Sequence, residues 1–598
     1  MTTPTTITVG TGTCGVSAGA NKVIEKLQSV LDTKNLKHAA LAETGCMGMC
    51  YAEVLVEIKN GDGIKYVYGN ITPERVERLI DDHIVAGKPI DEWLVLKEDK
   101  SKSLLAGIEK GFIKKQERIV LRNCGQIDPM SIDDYVAAGG YTALDKALKT
   151  MSRENLVQEI LDSGLRGRGG AGFLTGMKWK FAHDAPGAEK YVICNADEGD
   201  PGAFMDRSVL EGDPHSVLEG MLLCGYAIGA HAGYIYCRAE YPRAIVRLNK
   251  AIADATERGF LGENIGGTDY SFTLRIKEGA GAFVCGEETA LIASIEGERG
   301  TPRIRPPYPA AKGVWGKPTN INNVETLANI AWIVNHGAEA YAALGTKDSK
   351  GTKVFAMAGK VKRSGLVEVP MGITINEIVF DVCGGIVDDK KFKAVQMGGP
   401  SGGCIPASLG DTPIDYQRIN ETGAIMGSGG MVVVDEDTCM VELARFFLEF
   451  TQKESCGRCT SCRVGTLRML EILERIVAGD GKEGDIEELQ SLSTQIKSTS
   501  QCGLGQTAPN PVLTTIHYFR DEYEAHIKDK RCPAHSCPLL VDYVIKEDLC
   551  TGCQACVKVC EANAITGDRN VPHVIDPDTC IRCGKCITVC TFDAIYKD

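Results

Sequence analysis

Residues 550–560 read CTGCQACVKVC, and residues 580–590 read CIRCGKCITVC. Eight of the chain's 25 cysteines therefore lie in its last 49 residues, in two runs with the same spacing, Cys-x2-Cys-x2-Cys-x3-Cys. This spacing is typical of the thiolate ligands of 4Fe-4S clusters. Structural zinc is the weaker alternative, because zinc sites usually space their cysteines as two separated pairs. The tail is predicted to hold two clusters and to carry electrons one at a time.

The doubled run resembles the two-cluster ferredoxins. In that family the fourth cysteine of each run binds the other cluster. The proline that usually follows each fourth cysteine is absent here, since Glu561 and Thr591 take its place. A two-cluster ferredoxin domain is predicted for residues 541–598. The resemblance implies one cluster on Cys550, Cys553, Cys556 and Cys590, and another on Cys560, Cys580, Cys583 and Cys586.

The length and composition of the chain exclude several classes of protein. At 598 residues the chain is too long for one core and should divide into about four domains. Its net charge of -13 argues against a nucleic-acid partner. The best candidate for a membrane span, Val217 to Tyr236, is interrupted by Glu219 and His231, so no membrane association is expected. The first ten residues lack the features of a secretory signal, which predicts a cytoplasmic protein with reduced thiols.

Residues 1–93 alternate short strand patterns with helical ones, and they contain Cys14, Cys46 and Cys50. The motif TGCMGMC, which ends at Cys50, resembles the second half of the thioredoxin-like 2Fe-2S ferredoxins. The first half of that family's pattern would place cysteines at Thr8 and Thr13, so only three ligands are visible. Either a 2Fe-2S cluster survives with a non-standard fourth ligand, or the domain has lost its cluster and remains as a docking element.

A charged linker is predicted at 94–115, followed by a glycine-rich stretch, GLRGRGGAGF, at 164–173. A Rossmann fingerprint requires a strand before the glycines, whereas residues 155–165 have a helical pattern. A glycine-rich loop between two helices still suits phosphate binding, because backbone N–H groups and a helix N-terminus can surround an anion. By itself this motif is weak evidence.

Four further motifs follow in order: NADEGDPGAF at 195–204, GAFVCGEET at 281–289, RIRPPY at 303–308 and TNINN at 319–323. Together with the glycine loop they resemble the flavin-bearing, NADH-oxidising subunit of respiratory complex I, over about residues 116–510. The resemblance implies an FMN- and NAD-binding core at 116–341. A β-grasp module at 351–406 is predicted to follow, because apolar residues alternate there.

The resemblance also implies site residues. Asp200, Arg305 and Tyr308 replace the Glu, Lys and Phe usual in complex I, which leaves the choice between NADH and NADPH open. Contacts to FMN are expected from Gly167, Arg168, Gly169, Gly170, Lys178, Asn195, Asp197, Glu287, Asn322 and Asn323. Contacts to the nucleotide are expected from Phe173, Phe181, Glu287, Glu288, Arg305 and Tyr308, with Glu287 and Glu288 as the catalytic pair. The same site is expected to include Glu198, Asp200, Phe283 and Gly286.

A helical bundle is predicted for residues 436–520, from helical patterns at 441–451, 463–477 and 485–498. Three closely spaced cysteines precede the second helix, and one lies far along the chain. This set matches the 4Fe-4S cluster next to the flavin in the same family, which brings the expected number of 4Fe-4S clusters to three. The four ligands are Cys456, Cys459, Cys462 and Cys502.

Between the bundle and the tail, residues 521–540 contain His526, Cys532 and Cys537. Mixed histidine and cysteine ligands favour zinc over an iron-sulfur cluster. Cys439 is the expected fourth ligand and His535 is its substitute, although all of these could be hinge residues without a metal. Seven other cysteines have no partner at metal spacing and are expected to be buried apolar residues: Cys124, Cys194, Cys224, Cys237, Cys285, Cys383 and Cys404.

The expected fold is multidomain α/β and α+β: a thioredoxin-like domain, a Rossmann-like FMN/NADH core, a β-grasp module, a helical bundle and a ferredoxin tail. The two terminal domains resemble the β subunit of the soluble, NAD-dependent, often electron-bifurcating iron-only hydrogenases. That family implies an oxidoreductase of the hydrogen dehydrogenase type (EC 1.12.1), with a hydrogen-activating subunit, a small thioredoxin-like 2Fe-2S subunit and ferredoxin as partners. A flavin suits this role because it converts two-electron into one-electron transfer.

Three alternatives remain open from the sequence. The chain could be the diaphorase subunit of an NAD-dependent formate dehydrogenase, or a complex I flavoprotein subunit. It could also be a non-catalytic redox carrier or sensor, although the intact glycine and acidic motifs argue against this. Electron bifurcation is a hypothesis that rests on the added ferredoxin modules.

Overall fold

The computed structural model describes residues 5–61, 63–99, 104–106 and 110–597. The chain forms two compact units. The first comprises Met1–Gly402 and Ala407–Val433, and the second comprises Gly403–Pro406 and Val434–Asp598. Among the described residues, no helix has the length and apolar character that a membrane span requires.

The N-terminal domain is one six-stranded sheet with helices packed on it. The sheet order is β2-β1-β3-β4-β5-β6, in which β1 and β2 are parallel and the other pairs are antiparallel. Its buried core contains Ile7, Val9, Val23 and Leu27, which explains the alternating patterns in the sequence. The elements are β1 Thr5–Gly10, α1 Thr13–Ala18, α2 Ala20–Thr33, β2 Ala39–Thr44, β3 Val56–Lys59, β4 Lys65–Tyr68, α3 Pro73–Leu79, β5 Leu94–Asp99 and β6 Leu104–Ala106.

The predicted linker at 94–115 is in part a piece of this sheet. Leu94–Asp99 forms β5, which pairs with β4, and Lys110–Lys114 forms the short helix α4. The expectation of a linker was wrong here because Val95 and Leu96 pack into the domain, and the charges around them hid that short apolar run. Residues 100–103 and 107–109 of the predicted linker lie outside the described residues.

The central domain is built on a parallel four-stranded sheet in the order β10-β7-β8-β9. Helix α10 is buried almost throughout, and the carboxylate of Glu219 within it accepts hydrogen bonds from Tyr135 Oη and from two backbone N–H groups. This apolar segment is therefore a core helix. The elements are α5 Ile132–Ala137, α6 Thr142–Thr150, α7 Arg153–Asp162, α8 Thr175–Asp184, β7 Tyr191–Ala196, α9 Met205–Gly212, α10 Pro214–Ile228, β8 Ala232–Arg238, α11 Pro242–Glu257, β9 Thr273–Gly279, α12 Glu288–Ile295, β10 Thr319–Asn323, α13 Val324–His336 and α14 Ala338–Ala342.

The next module contains a sheet with the order β12-β11-β15-β13 in the first unit, and its central pair, β11 and β15, is parallel. This arrangement fits the β-grasp module that the sequence predicted. The sheet extends beyond the predicted end of the module at residue 406. After residue 406 the chain forms α15 and then β15, which pairs with β11 in the centre of the sheet. The elements are β11 Thr352–Gly359, β12 Gly365–Pro370, β13 Phe392–Met397, α15 Tyr416–Glu421 and β15 Gly430–Asp435. Strand β14, Gly403–Pro406, belongs to the second unit.

The second unit contains the helical bundle and the tail. The three helices predicted for the bundle are present, and the first and last residue of each lie within three residues of the expected bounds. In the tail, β16 pairs with β19 and β17 pairs with β18, both antiparallel. The elements are α16 Met440–Lys453, α17 Thr460–Val477, α18 Asp485–Thr499, α19 Gly503–Thr507, α20 Asn510–Tyr518, α21 Arg520–Glu524, β16 Tyr543–Ile545, α22 Ala555–Val559, β17 Ile565–Thr566, β18 Val574–Ile575, α23 Lys585–Thr588 and β19 Ile595–Lys597.

Candidate functional site

The glycine-rich loop joins α7 to α8, two helices, as the sequence predicted. Gly164, Gly170 and Gly172 have φ values of 66°, 126° and 65°, a region that side chains disfavour. A Cβ atom on Gly172 would lie 2.6 Å from the ring of Tyr416. The shape of this loop therefore requires glycine at these positions.

Arg168, within this loop, turns its side chain into the protein. The guanidinium is fully buried and donates to Thr352 O at 3.0 Å, Lys350 O at 2.6 Å and Tyr341 Oη at 3.1 Å. The guanidinium is therefore not available to FMN, and the backbone N–H of Arg168 donates to Thr326 Oγ1 at 2.8 Å. The side chain supports the loop from the interior.

The loop lies beside the carboxyl ends of two neighbouring strands. Asn195 is near the end of β7 and Asn323 ends β10, and a Cβ atom on Gly169 would be 3.0 Å from Asn323 Cβ. In open parallel sheets, ligands bind outside the carboxyl ends of the strands. The structure thus brings the glycine loop and the two asparagine motifs to one edge of the sheet.

Three aromatic side chains around this edge are half exposed: Phe173 at 51%, Phe181 at 50% and Tyr308 at 59%. The ring centroids of Phe173 and Phe181 are 6.5 Å apart, and the Arg305 guanidinium lies 5.9 Å from the centre of the Tyr308 ring. Large exposed aromatic rings are available to stack on a planar heterocycle.

A short chain of charges connects α8 with the segment before β10. Lys178 Nζ donates to Glu288 Oε1 and to Ile321 O, both at 2.5 Å. Glu288 Oε2 lies 3.6 Å from Arg305 Nη1. Glu288 therefore holds two cations close together, and such a pair suits the phosphates of a nucleotide.

Three residues expected in the flavin and nucleotide site accept hydrogen bonds at helix N-termini. Glu287 Oε2 accepts from the backbone N–H groups of Thr289 and Ala290 at the start of α12. The Glu198 carboxylate accepts from two backbone N–H groups at the start of α9, at 2.9 and 3.0 Å. Asn323 Oδ1 accepts from Thr326 N at 3.3 Å. These acceptors satisfy helix N-termini, whose first N–H groups have no partner within the helix.

Two buried carboxyls in the same region have raised pKa values. Burial raises the pKa of Glu198 to about 7 and that of Asp200 to about 6. Ser428 Oγ donates to Asp200 Oδ2 at 2.6 Å, and Arg238 Nη1 lies 3.9 Å from Asp197 Oδ1. No local motif signalled Ser428 or Arg238, since both reach the site from distant segments.

The remaining expected residues support this edge of the sheet. Asn195 Nδ2 donates to Gly286 O at 2.9 Å, and Asn322 Nδ2 donates to Asn320 Oδ1 at 2.9 Å. Phe283 lies against Gly199, where a Cβ atom would be 3.1 Å from its ring. A Cβ atom on Gly167 or Gly286 would meet its nearest neighbour only at 3.5 Å or 3.7 Å, so both face relatively open space.

In the bundle, the four expected cluster ligands lie on two adjacent segments. Cys459 immediately precedes α17, Cys462 is in its first turn and Cys502 immediately precedes α19. Gln501 N donates to Cys459 Sγ at 3.4 Å, and a Cβ atom on Gly505 would lie 3.2 Å from Cys462 Cβ. The two segments that carry the thiols are therefore in contact.

In the tail, the cysteines line two small cavities. One cavity is lined by Cys550, Cys553, Cys556 and Cys590, and the other by Cys560, Cys580, Cys583 and Cys586. These are the two sets that the ferredoxin resemblance implies. Backbone N–H groups of His573 and Ala564 donate to Cys550 Sγ and Cys560 Sγ at 3.4 and 3.3 Å, as suits sulfur that carries negative charge.

Between the bundle and the tail, four donors meet at one point. Cys439, His526, Cys532 and Cys537 are all buried, with their donor atoms within 4.8 Å of one another. His526 Nε2 is 3.3 Å from Cys439 Sγ and 3.4 Å from Cys537 Sγ, and its Nδ1 lies 2.7 Å from Glu522 O. This histidine is oriented by a carbonyl on its second nitrogen, as metal-bound histidines usually are. His535 lies outside the group, so the residues fit zinc with Cys439 as fourth ligand.

In the N-terminal domain, the three expected cysteines also meet. The Sγ atoms of Cys14, Cys46 and Cys50 lie within 4.8 Å of one another. Cys46 Sγ is 3.5 Å from Cys14 Sγ and 3.7 Å from Cys50 Sγ. Glu53, which the sequence did not single out, lies beside them, and burial raises its pKa to about 7. The seven isolated cysteines are all buried, as expected.

Three family models match the chain. Residues 160–332 match the Nuo51 FMN-binding domain, residues 442–526 match the NADH-ubiquinone oxidoreductase-F iron-sulfur binding region, and residues 549–594 match a 4Fe-4S dicluster domain. These matches fall on the central domain, the bundle and the tail.

Curated relatives and solved structures agree with the models. NADP-reducing hydrogenase subunit HndC of Solidesulfovibrio fructosivorans is 58% identical over 77% of this chain and 94% of its own length. A subunit of the NADH-quinone oxidoreductase of Rhizobium meliloti is 45% identical over 70% of this chain and 100% of its own length. A chain of an NAD+-reducing [NiFe]-hydrogenase is 32% identical with a TM-score of 0.62, covering 88% of this chain and 85% of that one.

The fold and the site define a flavoprotein that also binds iron-sulfur clusters. The chain belongs to the family of FMN- and 4Fe-4S-binding subunits shared by NAD(P)-reducing hydrogenases and NADH-quinone oxidoreductases. The residues present fit FMN and a nucleotide, because a glycine loop, exposed aromatic rings and a pair of cations lie around one edge of a parallel sheet.

Proposed function

We propose that the chain is the NADH-oxidising and NAD-reducing subunit of a multisubunit hydrogenase, an oxidoreductase of the hydrogen dehydrogenase type in the cytoplasm. The observation that carries this proposal is the Lys178–Glu288–Arg305 charge chain beside the Phe173–Phe181 pair, at the carboxyl ends of the parallel strands. The identity to NADP-reducing hydrogenase subunit HndC over most of both chains supports the hydrogenase assignment.

Each group of residues in the site would have its own role. When bound, FMN would supply the conversion between two-electron exchange with the nicotinamide and one-electron transfer. The backbone of the glycine loop would hold its phosphate, as glycine-rich loops at helix N-termini do. Phe173 and Phe181 would stack on the nucleotide and exclude water. Lys178 would bind FMN and Arg305 would bind the nucleotide, with Glu288 fixing both cations in place.

We further propose three 4Fe-4S clusters, one in the bundle and two in the tail, which continue the relay from the flavin. The expected partners are a hydrogen-activating subunit, a small thioredoxin-like 2Fe-2S subunit and ferredoxin. The doubled cysteine runs of the tail favour coupling of NAD, ferredoxin and hydrogen by electron bifurcation. Hydrogen reduction of NAD at full rate in the absence of ferredoxin would contradict bifurcation.

Two metal sites complete the proposal. We propose a structural zinc on Cys439, His526, Cys532 and Cys537, and a metal centre in the N-terminal domain that includes Cys14, Cys46 and Cys50. Both sites would be structural, since each ties together segments that are distant in the sequence.

The central experiment is an anaerobic titration of the FMN- and iron-reconstituted chain with NADH and, in parallel, NADPH. Flavin bleaching is followed by absorbance and the clusters are followed by EPR. Bleaching by one nucleotide with several 4Fe-4S signals would support the proposal and give the nucleotide preference. No bleaching by either nucleotide, with intact clusters, would favour a carrier or sensor instead.

Matched variants make the titration specific to the site. Lys178→Gln should raise the apparent Kd for FMN by about 10-fold or more, because it removes a charge-assisted contact. Lys180→Gln is the control, since Lys180 lies on the same helix and pairs with Asp184, both half exposed. Phe181→Ala should weaken binding of the nucleotide, whereas Phe446→Ala, equally exposed at 50%, should not.

The alternative substrate of the partner subunit is tested in the native complex. The complex is purified through a tag on this chain and assayed for hydrogen and for formate oxidation with NAD. Formate oxidation without hydrogen oxidation would replace the hydrogenase by a formate dehydrogenase. Quinone reduction alone would favour a complex I subunit.

A further inference from the structure

A buried carboxyl group lies beside the expected flavin contacts and has no role in the proposed function. Asp206 is in the first turn of α9 and is 4% exposed. It lies two residues beyond the NADEGDPGAF motif, and no motif of the sequence includes it. A carboxyl group this deeply buried needs hydrogen-bond partners inside the protein. Two of the expected site motifs supply the partners of Asp206.

The first partner is Asn323, which is 117 positions further along the chain. Asn323 Nδ2 donates to Asp206 Oδ2 at 2.5 Å, and Asn323 Oδ1 accepts from Thr326 N at 3.3 Å. Because a backbone N–H can only donate, the amide oxygen of Asn323 must face Thr326 and its nitrogen must face Asp206. The two bonds thus select one orientation of the amide. The nitrogen has two N–H groups, so one remains for a second acceptor.

The glycine loop lies directly against this amide. A Cβ atom on Gly169 would be 3.0 Å from Asn323 Cβ and 3.7 Å from Asn323 Nδ2. The loop is also bonded to the same turn of α13, since Arg168 N donates to Thr326 Oγ1 at 2.8 Å. The first turn of α13 therefore fixes both the amide and the loop.

The second partner of Asp206 is the NADEGDPGAF motif. Asp206 N donates to Glu198 Oε1 at 2.9 Å, and Tyr241 Oη donates to Glu198 O from another segment. Asp206 therefore connects two motifs of the expected flavin site, one through its backbone and the other through its side chain.

We propose that Asp206 is a positioning residue of the flavin site, which holds the Asn323 amide so that the second N–H of its nitrogen is available to FMN. Asp206 acts through Asn323 and needs no contact with the cofactor. This inference rests on the proposed function and deepens it, because it assigns the residue that prepares one of the expected FMN contacts. A side chain that is already oriented binds a ligand without the cost of ordering it.

The test measures the Kd for FMN by fluorescence quenching in the full-length chain after removal of the cofactor. The thermal midpoint of the FMN-free chain is recorded in parallel. Asp206→Ala should raise the Kd by about 10-fold, as expected when a buried donor loses its acceptor. Asp206→Leu, which has a side chain of similar shape without an acceptor, should have the same effect. Should one of these two variants fail to fold, the other decides the outcome.

The conservative variant Asp206→Asn should restore binding to within about 3-fold of the unmodified chain, because its amide oxygen still accepts a hydrogen bond. Burial raises the pKa of Asp206 well above its usual value, so an uncharged amide is a close substitute for this carboxyl group. A residue that only filled space would be replaced equally well by leucine and by asparagine. The difference between Asp206→Leu and Asp206→Asn therefore reports the hydrogen bond.

A double-mutant cycle tests whether Asp206 acts through Asn323. Asn323→Ala removes the amide, so the further change Asp206→Ala should alter the Kd for FMN by less than about 2-fold in that background. Independent effects on the Kd would instead multiply.

Asp213 provides a matched control in the same unit. It is fully buried, it caps α10, and its Oδ2 accepts from Asn123 Nδ2 at 2.8 Å, so it forms the same kind of pair as Asp206 and Asn323. Asp213→Ala should lower the thermal midpoint, because α10 loses its cap. It should leave the Kd for FMN within about 2-fold.

Three results would overturn the inference. The first is an unchanged Kd for FMN in Asp206→Ala or Asp206→Leu. The second is an effect of Asp206→Ala that is as large in the Asn323→Ala background as in the unmodified chain. The third is an equal rise of the Kd in Asp213→Ala, which would show that general loss of stability weakens FMN binding. Each can occur while the unmodified chain binds FMN and the proposed function stands, whereas absence of FMN binding by the unmodified chain would contradict both.

Discussion

The cysteine sites and the flavin region of this chain differ in how directly sequence spacing predicts side-chain roles. At the hinge, His526, Cys532 and Cys537 meet at one point as the spacing predicted. In the flavin region, Glu198, Glu287 and Asn323 fall in the expected motifs but use acceptor atoms on helix N-termini. A metal constrains side chains directly, whereas a phosphate-binding loop mainly constrains backbone. Residues in such a loop are then free to support the fold.

The largest effect is expected from disrupting the proposed zinc site of Cys439, His526, Cys532 and Cys537. Cys439→Ser should release the zinc and lower the thermal midpoint of the second unit strongly, because binding of a structural zinc contributes on the order of 10 kcal/mol. Zinc content and differential scanning calorimetry measure both quantities. The control is His535→Ala, whose side chain lies outside the donor group. Equal zinc loss in both variants would mean that the hinge ligands are assigned incorrectly.

Next in size is Arg168→Ala in the glycine loop. The substitution leaves Lys350 O, Thr352 O and Tyr341 Oη without their donor, at a cost of about 3–5 kcal/mol for the group. The thermal midpoint of the first unit should fall, and FMN should be lost as the loop moves. An unchanged midpoint with weaker FMN binding would instead show that the guanidinium contacts the cofactor directly.

Variants of Glu198 test whether this residue caps a helix or binds the nucleotide, and their expected effect on stability is smaller. Glu198→Ala should destabilise the first unit by about 1–2 kcal/mol, because α9 loses the acceptor for two backbone N–H groups. Glu198→Gln retains an acceptor and should lose less. The KM for the nucleotide should stay within about 2-fold in both variants. A large rise in KM without loss of stability would mean that Glu198 binds the nucleotide.

The smallest effect concerns pH. Burial raises the pKa of Asp200 from 3.8 to about 6, so the folded chain holds this proton more tightly than the unfolded chain. The stability contributed by this group is present below about pH 4 and is lost as the pH rises through about 6. The thermal stability of Asp200→Asn relative to the unmodified chain should accordingly rise as the pH increases from about 4 to about 7, and change little above that. A difference that does not change with pH would mean that Asp200 does not titrate in this range.

A structural feature could be predicted from the sequence when the residues that form it are close together along the chain. The helices at 441–451, 463–477 and 485–498 could be predicted because an amphipathic pattern is repeated within each one. The strand at Leu94–Asp99 was missed, because its apolar residues are few and lie among charges. For Cys439, the sequence suggested a fourth zinc ligand only as one of two options. Its distance from His526 along the chain is too long for spacing to decide.

The sequence by itself determined the features in which chemistry and backbone geometry are both local: the thiolate spacing of the tail, the glycines of the flavin loop and the family to which they belong. Only the tertiary structure decided which distant groups meet. It selected Cys439 over His535, placed Glu53 beside Cys14 and turned Arg168 into the interior. The physical reason is that neighbours along the chain have few relative positions, whereas contacts between distant segments depend on how the whole core packs.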